Sequence, residues 1–99
     1  MPIYIFLGKL TDEGRKNIKQ IPADIQKGNK NVEKMGGKVI GVYGVMGEYD
    51  SVAIAEFPSD EAASAFVLYP EPSGNVWYRT VTMRAFSMEE FSGIINKLP

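Results

Sequence analysis

The sequence predicts an α+β fold in which a four-stranded antiparallel sheet carries its helices on one face. Four segments are rich in β-branched and aromatic residues, and two amphipathic segments lie between them in the order βαββαβ. A third amphipathic segment follows the last strand. Two βαβ-like halves joined by one hairpin form the ferredoxin-like arrangement. The chain has 99 residues, which is the size of one domain, so we assign residues 1–99 to a single unit.

The first half of the chain is predicted to be a strand followed by a broken helix. Ile3–Lys9 is β-branched, aromatic and apolar, as strands are. Thr11 precedes two acidic residues, which is the pattern of a helix N-cap. Pro22 should break or kink the helix, and Gly36 with Gly37 should end it. Its apolar residues recur at helical spacing and should form one buried face: Ile18, Ile21, Ile25, Val32 and Met35.

Two further strands and a short helix are predicted next. The strands are Lys38–Val45 and Ser51–Phe57, and the glycine-containing segment Met46–Asp50 should join them as a hairpin. Pro58 and Ser59 then precede two acidic residues, which marks another helix start. This helix is rich in alanine, so it can lie close to a sheet.

The last third of the sequence is predicted to be a loop, a strand and a helix. Pro70–Asn75 contains two prolines and a glycine and should be a loop. Val76–Ala85 predicts a long fourth strand. Ser87 with Glu90 forms a capping box, which should begin the terminal helix. The apolar face of that helix repeats at i, i+3, i+4 and i+7 and contains Phe91, Ile94, Ile95 and Leu98.

Composition excludes several kinds of chemistry. The chain has no cysteine and no histidine, which removes thiolate zinc, iron–sulfur clusters, histidine-ligated metals and Ser-His-Asp catalysis. We therefore expect no cofactor and no metal. A net charge of −1 gives no general attraction to nucleic acid or to anionic lipid, so neither is expected as a partner. A chain without cysteine and without an evident targeting signal fits a cytoplasmic location.

Both faces of the predicted sheet are apolar. In the first strand one face would hold Ile3, Ile5 and Leu7, and the other Tyr4 and Phe6. In the second strand one face would hold Val39, Tyr43 and Val45, and the other Ile40 and Val42. Helices cover one face only, and the other would expose more apolar area than monomers usually do. We therefore expect a homodimer that packs sheet to sheet, with the terminal helix as a competing cover.

The predicted fourth strand differs from the others. One of its faces is polar and carries Tyr78, Thr80, Thr82 and Arg84. A polar stripe within an apolar sheet suggests that part of the face covered by the second copy is a cavity. The alternative is an edge strand whose threonines simply face solvent. Arg84 would pair with Glu56 across the sheet, or bind a ligand carboxylate.

The hairpin Gly47-Glu48-Tyr49-Asp50 resembles the motif that gives the GYD domain family its name. A hairpin of this kind is also similar to one in the effector-binding domains of Lrp/AsnC regulators. The resemblance to GYD domains covers nearly the whole chain. Its other parts are Leu7-Gly8-Lys9, Thr11-Asp12-Glu13-Gly14, Gly36-Gly37-Lys38-Val39, Asp60-Glu61-Ala62-Ala63, and Gly74-Asn75-Val76 leading into Thr82-Met83-Arg84-Ala85-Phe86.

The resemblance implies a dimeric α/β barrel of ferredoxin-like subunits without an established activity. On this basis the chain is expected to be a homodimeric module that binds a small molecule or another protein. The ligand-binding candidates are Tyr49, Asp50, Glu48, Tyr78, Arg84 and Tyr43. Turn geometry alone would also explain Gly47 and Asp50.

Two other functions stay open from the sequence. One is a cofactor-independent enzyme that acts on a small organic substrate, of the monooxygenase or isomerase kind, with Tyr49, Asp50 and Tyr78 near the chemistry. The other is a stand-alone domain that senses a metabolite. Shared fold is a weak argument for either of them.

Overall fold

The computed structural model describes residues 1–69 and 74–99. It contains one antiparallel sheet in the order β2-β3-β1-β4, which is the strand order of a ferredoxin-like βαββαβ fold. The predicted fold class is therefore confirmed. The strands are β1 (Ile3–Leu10), β2 (Lys38–Gly44), β3 (Ser51–Glu56) and β4 (Tyr78–Ala85).

Five helices and one 3₁₀ turn accompany the sheet in the described residues. Among these helices, none is long and apolar enough to cross a membrane. They are α1 (Asp12–Lys16), α2 (Ile21–Lys34), α3 (Asp60–Leu68), α4 (Gly74–Trp77) and α5 (Met88–Ile95), and the 3₁₀ turn is Ile18–Gln20.

The local signals at the helix ends work as predicted. The Thr11 hydroxyl accepts a hydrogen bond from the Gly14 amide at 3.1 Å and so caps α1. Pro22 lies in the first turn of α2, where its missing amide proton costs nothing. Gly36 ends the segment with a φ of +81°, a conformation that favours glycine. The interruption falls before Pro22, and Ile18, in the 3₁₀ turn, is 50% exposed and not part of the buried face.

The predicted start of the fourth strand is wrong by two residues. Val76 and Trp77 belong to α4, and β4 begins at Tyr78. The Trp77 carbonyl accepts a hydrogen bond from the Thr11 amide at 2.9 Å, and the Thr11 hydroxyl donates to the Val76 carbonyl. These carbonyls hold the start of α1 instead of continuing the sheet. Of the predicted loop Pro70–Asn75, residues 70–73 lie outside the described residues, and Gly74 and Asn75 are in α4.

Aromatic rings form the core between the sheet and helices α2 and α3. Phe57 is fully buried and contacts Tyr4, Phe6 and Phe66, with ring centroids 5.8, 6.3 and 5.4 Å away. Val32 from α2 and Ala63 from α3 complete the buried cluster together with Ala55. Tyr4 and Phe6 therefore lie on the helix-covered face of β1, and Ile3, Ile5 and Leu7 lie on the other.

The predicted faces of β2 are wrong because of a β-bulge. The pairing with β3 shifts between Val39 and Gly41, so Ile40 is an extra residue. Val39 lies opposite Ala55 and Val42 opposite Ala53, which puts both valines on the helix-covered face. Tyr43, opposite Val52, points to the other face. Strict alternation along the sequence cannot reveal a bulge, since one inserted residue reverses every side chain after it.

Candidate functional site

The Gly-Glu-Tyr-Asp hairpin joins β2 and β3 and fastens them to β1. Gly47 has a φ of +117°, which the turn requires and which other residues rarely adopt. The Asp50 carboxylate accepts a hydrogen bond from the Leu10 amide at 2.8 Å. The Asp50 amide donates to the Gly8 carbonyl at 2.8 Å, and its carbonyl accepts from the Val45 amide at 2.9 Å. Asp50 therefore forms hydrogen bonds to the backbone of β1 and to the backbone of the residue that follows β2.

The side of the sheet away from α2 and α3 is largely apolar. We call it the free sheet face. Several of its side chains are well exposed, with Tyr43 at 57%, Val81 at 44% and Met83 at 39%. Its apolar residues are Ile3, Ile5, Leu7, Tyr43, Val52, Ile54, Val81 and Met83.

The apolar stripe of α5 is also exposed. Phe91, Ile94 and Ile95 in α5, and Leu98 just after the helix ends, are between 41% and 71% exposed. The cis arrangement, in which α5 would bury this stripe on the free sheet face of its own chain, is therefore not what the structure shows. The fold leaves two apolar surfaces available for contact with another molecule.

A cavity of about 300 Å³ lies between the helices and the covered face of the sheet. Its inner end is buried, since Phe6, Val32 and Ala55 are each less than 10% exposed, and its outer end is marked by the exposed residues Val67 and Tyr69. The apolar wall comes from β1, β2, β3, α2 and α3 and includes Phe6, Val32, Val39, Val42, Ala55 and Phe66.

Hydroxyl groups line one part of this cavity. Ser51, Tyr78 and Thr80 all reach its wall. Gly8 makes room for them, because a β-carbon there would stand 2.4 Å from the Ser51 hydroxyl and 3.2 Å from the Tyr78 ring. Burial raises the pKa of Tyr78, and the charges of Asp24 and Asp50 raise it further. The Tyr78 hydroxyl therefore stays protonated at neutral pH and can donate a hydrogen bond.

The polar face of β4 points to the helix-covered side, where Thr80 is opposite Gly8 and Thr82 is opposite Phe6. Because β4 is an edge strand, Thr80 and Thr82 are exposed. The cavity is lined by Tyr78 and Thr80 from this stripe. The stripe therefore does not lie on the face that a partner subunit would cover, where the cavity was predicted, and its exposed threonines agree with the edge-strand alternative.

A second polar group joins β1, β4 and α3 and was not anticipated. The Tyr4 hydroxyl donates a hydrogen bond to the Asp60 carboxylate, which lies 3.9 Å from the Arg84 guanidinium. Burial, reinforced by the hydrogen bond to Asp60, raises the pKa of Tyr4 to about 12. Arg84 also stacks over Phe86, with its guanidinium carbon 4.4 Å from the ring centre. The sequence held one signal for this cluster: Tyr4 shares a face of β1 with Phe6. A tyrosine on a buried face needs a partner for its hydroxyl.

The predicted pairing of Arg84 with Glu56 is wrong. Arg84 is opposite Tyr4 on the helix-covered face, whereas Glu56 is opposite Ile3 and so points to the free sheet face. Tyr4 and Ile3 are neighbours in β1, and neighbouring residues of a strand point to opposite faces of the sheet.

The structure does not bring the six candidate residues into one site. Tyr78 lines the cavity, and Tyr43 lies on the free sheet face. Glu48 and Tyr49 are in the hairpin beside Asp50, with Glu48 exposed and Tyr49 half-buried. Arg84 lies at the Tyr4 end of β1, four residues or about 13 Å from the Gly8 end where Asp50 binds.

The fold and the motif together define the class of this protein. It is an α+β ferredoxin-like domain with a Gly-x-Tyr-Asp hairpin tied into the first strand. The model of the GYD domain matches residues 4–95, and the chain belongs to this family.

Known proteins resemble the chain in sequence and in fold. A protein of Thermus thermophilus, the "glutamine synthetase and cystathionine beta-lyase binding protein", is 30% identical over 91 residues, which cover 91% of this chain and 94% of the relative. The crystal structure of FFRP-DM1 has a TM-score of 0.56 at 17% identity and covers 87% of this chain and all of the other. MtbAldR has a TM-score of 0.64 at 15% identity, over 87% of this chain and 52% of its own. At these identities the two structures establish the shared fold.

Proposed function

We propose that this protein is a homodimeric binding module that acts by contact with another protein. The observation that carries the proposal is the free sheet face, which is apolar. Its residues from β1 and β3 are half-buried, and Tyr43, Val81 and Met83 are well exposed. If a partner covers about 600 Å² of it, burial contributes on the order of 15 kcal/mol before the costs of association. A second copy presents the same surface with two-fold symmetry and is the simplest cover.

Binding of another protein is supported by the Thermus thermophilus relative. Its name states that it binds two enzymes, glutamine synthetase and cystathionine beta-lyase. The match extends over nearly the whole of both chains, so almost all of the relative lies within the matched region. Once the sheets are paired, the apolar stripe of α5 offers a further surface for such a partner. The complete lack of cysteine also supports our proposal of a cytoplasmic location.

The homodimer is tested with one charge placed on either side of β4. Val81→Glu puts a carboxylate on the free sheet face. Thr82→Glu puts the same group at the next residue, which is exposed and points to the opposite face of the sheet. In analytical ultracentrifugation at micromolar concentration, the unchanged protein and Thr82→Glu should sediment at twice the 11.0 kDa chain mass. Val81→Glu should sediment as a monomer. A monomeric unchanged protein, or a Val81→Glu variant that remains dimeric, contradicts the proposal.

Binding of enzymes is tested separately. Glutamine synthetase and cystathionine beta-lyase, the two enzymes in the name of the relative, are immobilised, and this protein is passed over them in surface plasmon resonance. We expect saturable binding to at least one enzyme. A lack of binding to both would remove the support that the relative gives, while the ultracentrifugation result would still decide the dimer.

A further inference from the structure

We propose that the cavity between the helices and the covered face of the sheet binds a small, uncharged organic molecule that contains aromatic rings and one hydrogen-bonding group. This site is distinct from the free sheet face, since the two lie on opposite sides of the sheet. The proposal goes beyond contact with a protein and does not depend on it.

The size of the cavity is the first argument. The cavity is open at the end marked by Val67 and Tyr69, so a ligand can enter it. A space of about 300 Å³ beside the fully buried Phe57 cluster is at the lower end of the range for ligand pockets. An engineered apolar cavity of about 150 Å³ holds benzene, so this one suits a molecule of about two rings.

The wall favours an aromatic ligand body. Phe6 and Phe66 both line the cavity, and their rings meet edge to face at 5.6 Å. Aromatic rings prefer edge-to-face and offset contacts of this kind, so a third aromatic ring is a favourable neighbour for this pair. Val32, Val39 and Val42 supply the remaining apolar contact, so a flat hydrophobic body is matched on several sides.

The polar groups fix one end of the ligand. Ser51, Tyr78 and Thr80 each carry a hydroxyl that can donate or accept, so they can bind a ligand hydroxyl or carbonyl. A few placed polar groups in an apolar wall are the usual composition of a specific small-molecule site. Tyr78 joins this set because Gly8 leaves space for its ring.

Charge argues against an anionic ligand. The Asp24 carboxylate belongs to the wall, and both Asp24 and Asp50 act on Tyr78 electrostatically. A ligand carboxylate placed near Tyr78 would meet this negative potential. Lys27 also lines the cavity, but it is exposed, so solvent screens its charge.

The test compares two probes with the same rings and different charge. They are 2-naphthol, which is neutral at pH 7, and 2-naphthoate, which is an anion. Binding is followed by calorimetry and by amide chemical shifts of the ¹⁵N-labelled protein. We expect 2-naphthol to shift resonances of the cavity wall. We expect 2-naphthoate to bind at least about tenfold more weakly, which is the affinity that one hydrogen-bonded or charged contact contributes.

Two variant pairs locate the binding. Ala53→Leu extends a side chain from β3 into the cavity, and Ala65→Leu makes the same change at an exposed position of α3. Tyr78→Phe removes the hydroxyl in the cavity, and Thr82→Val removes one at an exposed position of β4 that does not line the cavity. We expect Ala53→Leu to lose at least about tenfold in 2-naphthol affinity and Tyr78→Phe roughly three- to tenfold, with both controls unchanged.

Several results would overturn the proposal. They are unchanged 2-naphthol affinity in folded Ala53→Leu, equal affinity for the two probes, or no shift of wall resonances at millimolar 2-naphthol. If Ala53→Leu does not fold, intermolecular NOEs between 2-naphthol and the Phe66 ring in the unchanged protein decide the matter. The sedimentation of the protein is a separate measurement, so failure of this site and failure of the homodimer are distinguishable.

Discussion

Replacing Asp50 should cost stability, because its carboxylate holds the hairpin to β1. The bond from the Leu10 amide is 2.8 Å long and has an ionised acceptor, and bonds of that kind contribute about 1.5–3 kcal/mol. Asp50 is only half-buried, so water can partly replace it, and we take the lower part of this range. We expect Asp50→Ala to lower the free energy of unfolding by about 2 kcal/mol, and Asp50→Asn, which keeps a neutral acceptor, by about 1 kcal/mol.

Urea unfolding followed by circular dichroism measures both variants at one protein concentration, since dimer formation would make stability depend on concentration. A loss of about 2 kcal/mol moves the urea midpoint by roughly 1 M for a chain of this size. Glu48→Ala is the matched control, because Glu48 is exposed in the same hairpin and should change stability by less than about 0.5 kcal/mol. The reasoning fails if Asp50→Ala is as stable as this control, and Asp50 would then be better explained by a direct role in binding.

Three further predictions concern the core and two titrating groups. Phe57→Ala should lose about 3–5 kcal/mol in urea unfolding, since a fully buried ring leaves a cavity among three other rings; a loss under about 1.5 kcal/mol would contradict the packing described. The pKa of Tyr4 is raised on folding from 10.0 to about 12, so its contribution is complete below pH 10 and is lost as the pH rises towards 12. Tyr4→Phe should remove that alkaline loss, and an unchanged pH profile of thermal unfolding would refute the shift. The Ser87 backbone hydrogen bond lowers the pKa of Glu90, so its contribution is present above the usual value of 4.5 and fades as the pH falls; Glu90→Gln should flatten this acid dependence, and a profile identical to that of the unchanged protein would speak against the capping box.

Local signals in the sequence were enough for most of the fold. The caps at Thr11 and Ser87 and the turn at Gly36 are decided within a few residues, and the structure confirms all three. The order of the strands followed from the order of the elements. The start of β4 did not, because it is decided by the hydrogen bonds between Thr11 and the α4 carbonyls, across 65 residues of chain. The bulge at Ile40 was missed for the same reason, since strand pairing and not composition places it.

The candidate site was much less predictable than the fold. Tyr78 was singled out for its polar stripe and does line a cavity, but that cavity is formed by gaps between several elements. Its shape depends on helix placement and on the small size of Gly8, and the sequence pattern does not show that Gly8 leaves room for Ser51 and Tyr78. Arg84 shows the same limit. The sequence pattern favoured Glu56 as its acidic partner, whereas the fold brings Asp60 to it from the start of α3.

Strand β4 connects the two proposed surfaces, because its side chains alternate between them. Tyr78 and Thr80 face the cavity, and Val81 and Met83 face the other side of the sheet. In the two proposals, a single backbone carries both a ligand contact and a subunit contact, separated only by the thickness of the sheet. Since β4 is an edge strand paired on one side with β1, it is less constrained than the central strands. A ligand that orders the Tyr78 end of β4 would stabilise the backbone that also presents Val81. The alternation of polar and apolar residues along β4 is the sequence feature that places the proposed ligand contact and the proposed subunit contact on one strand.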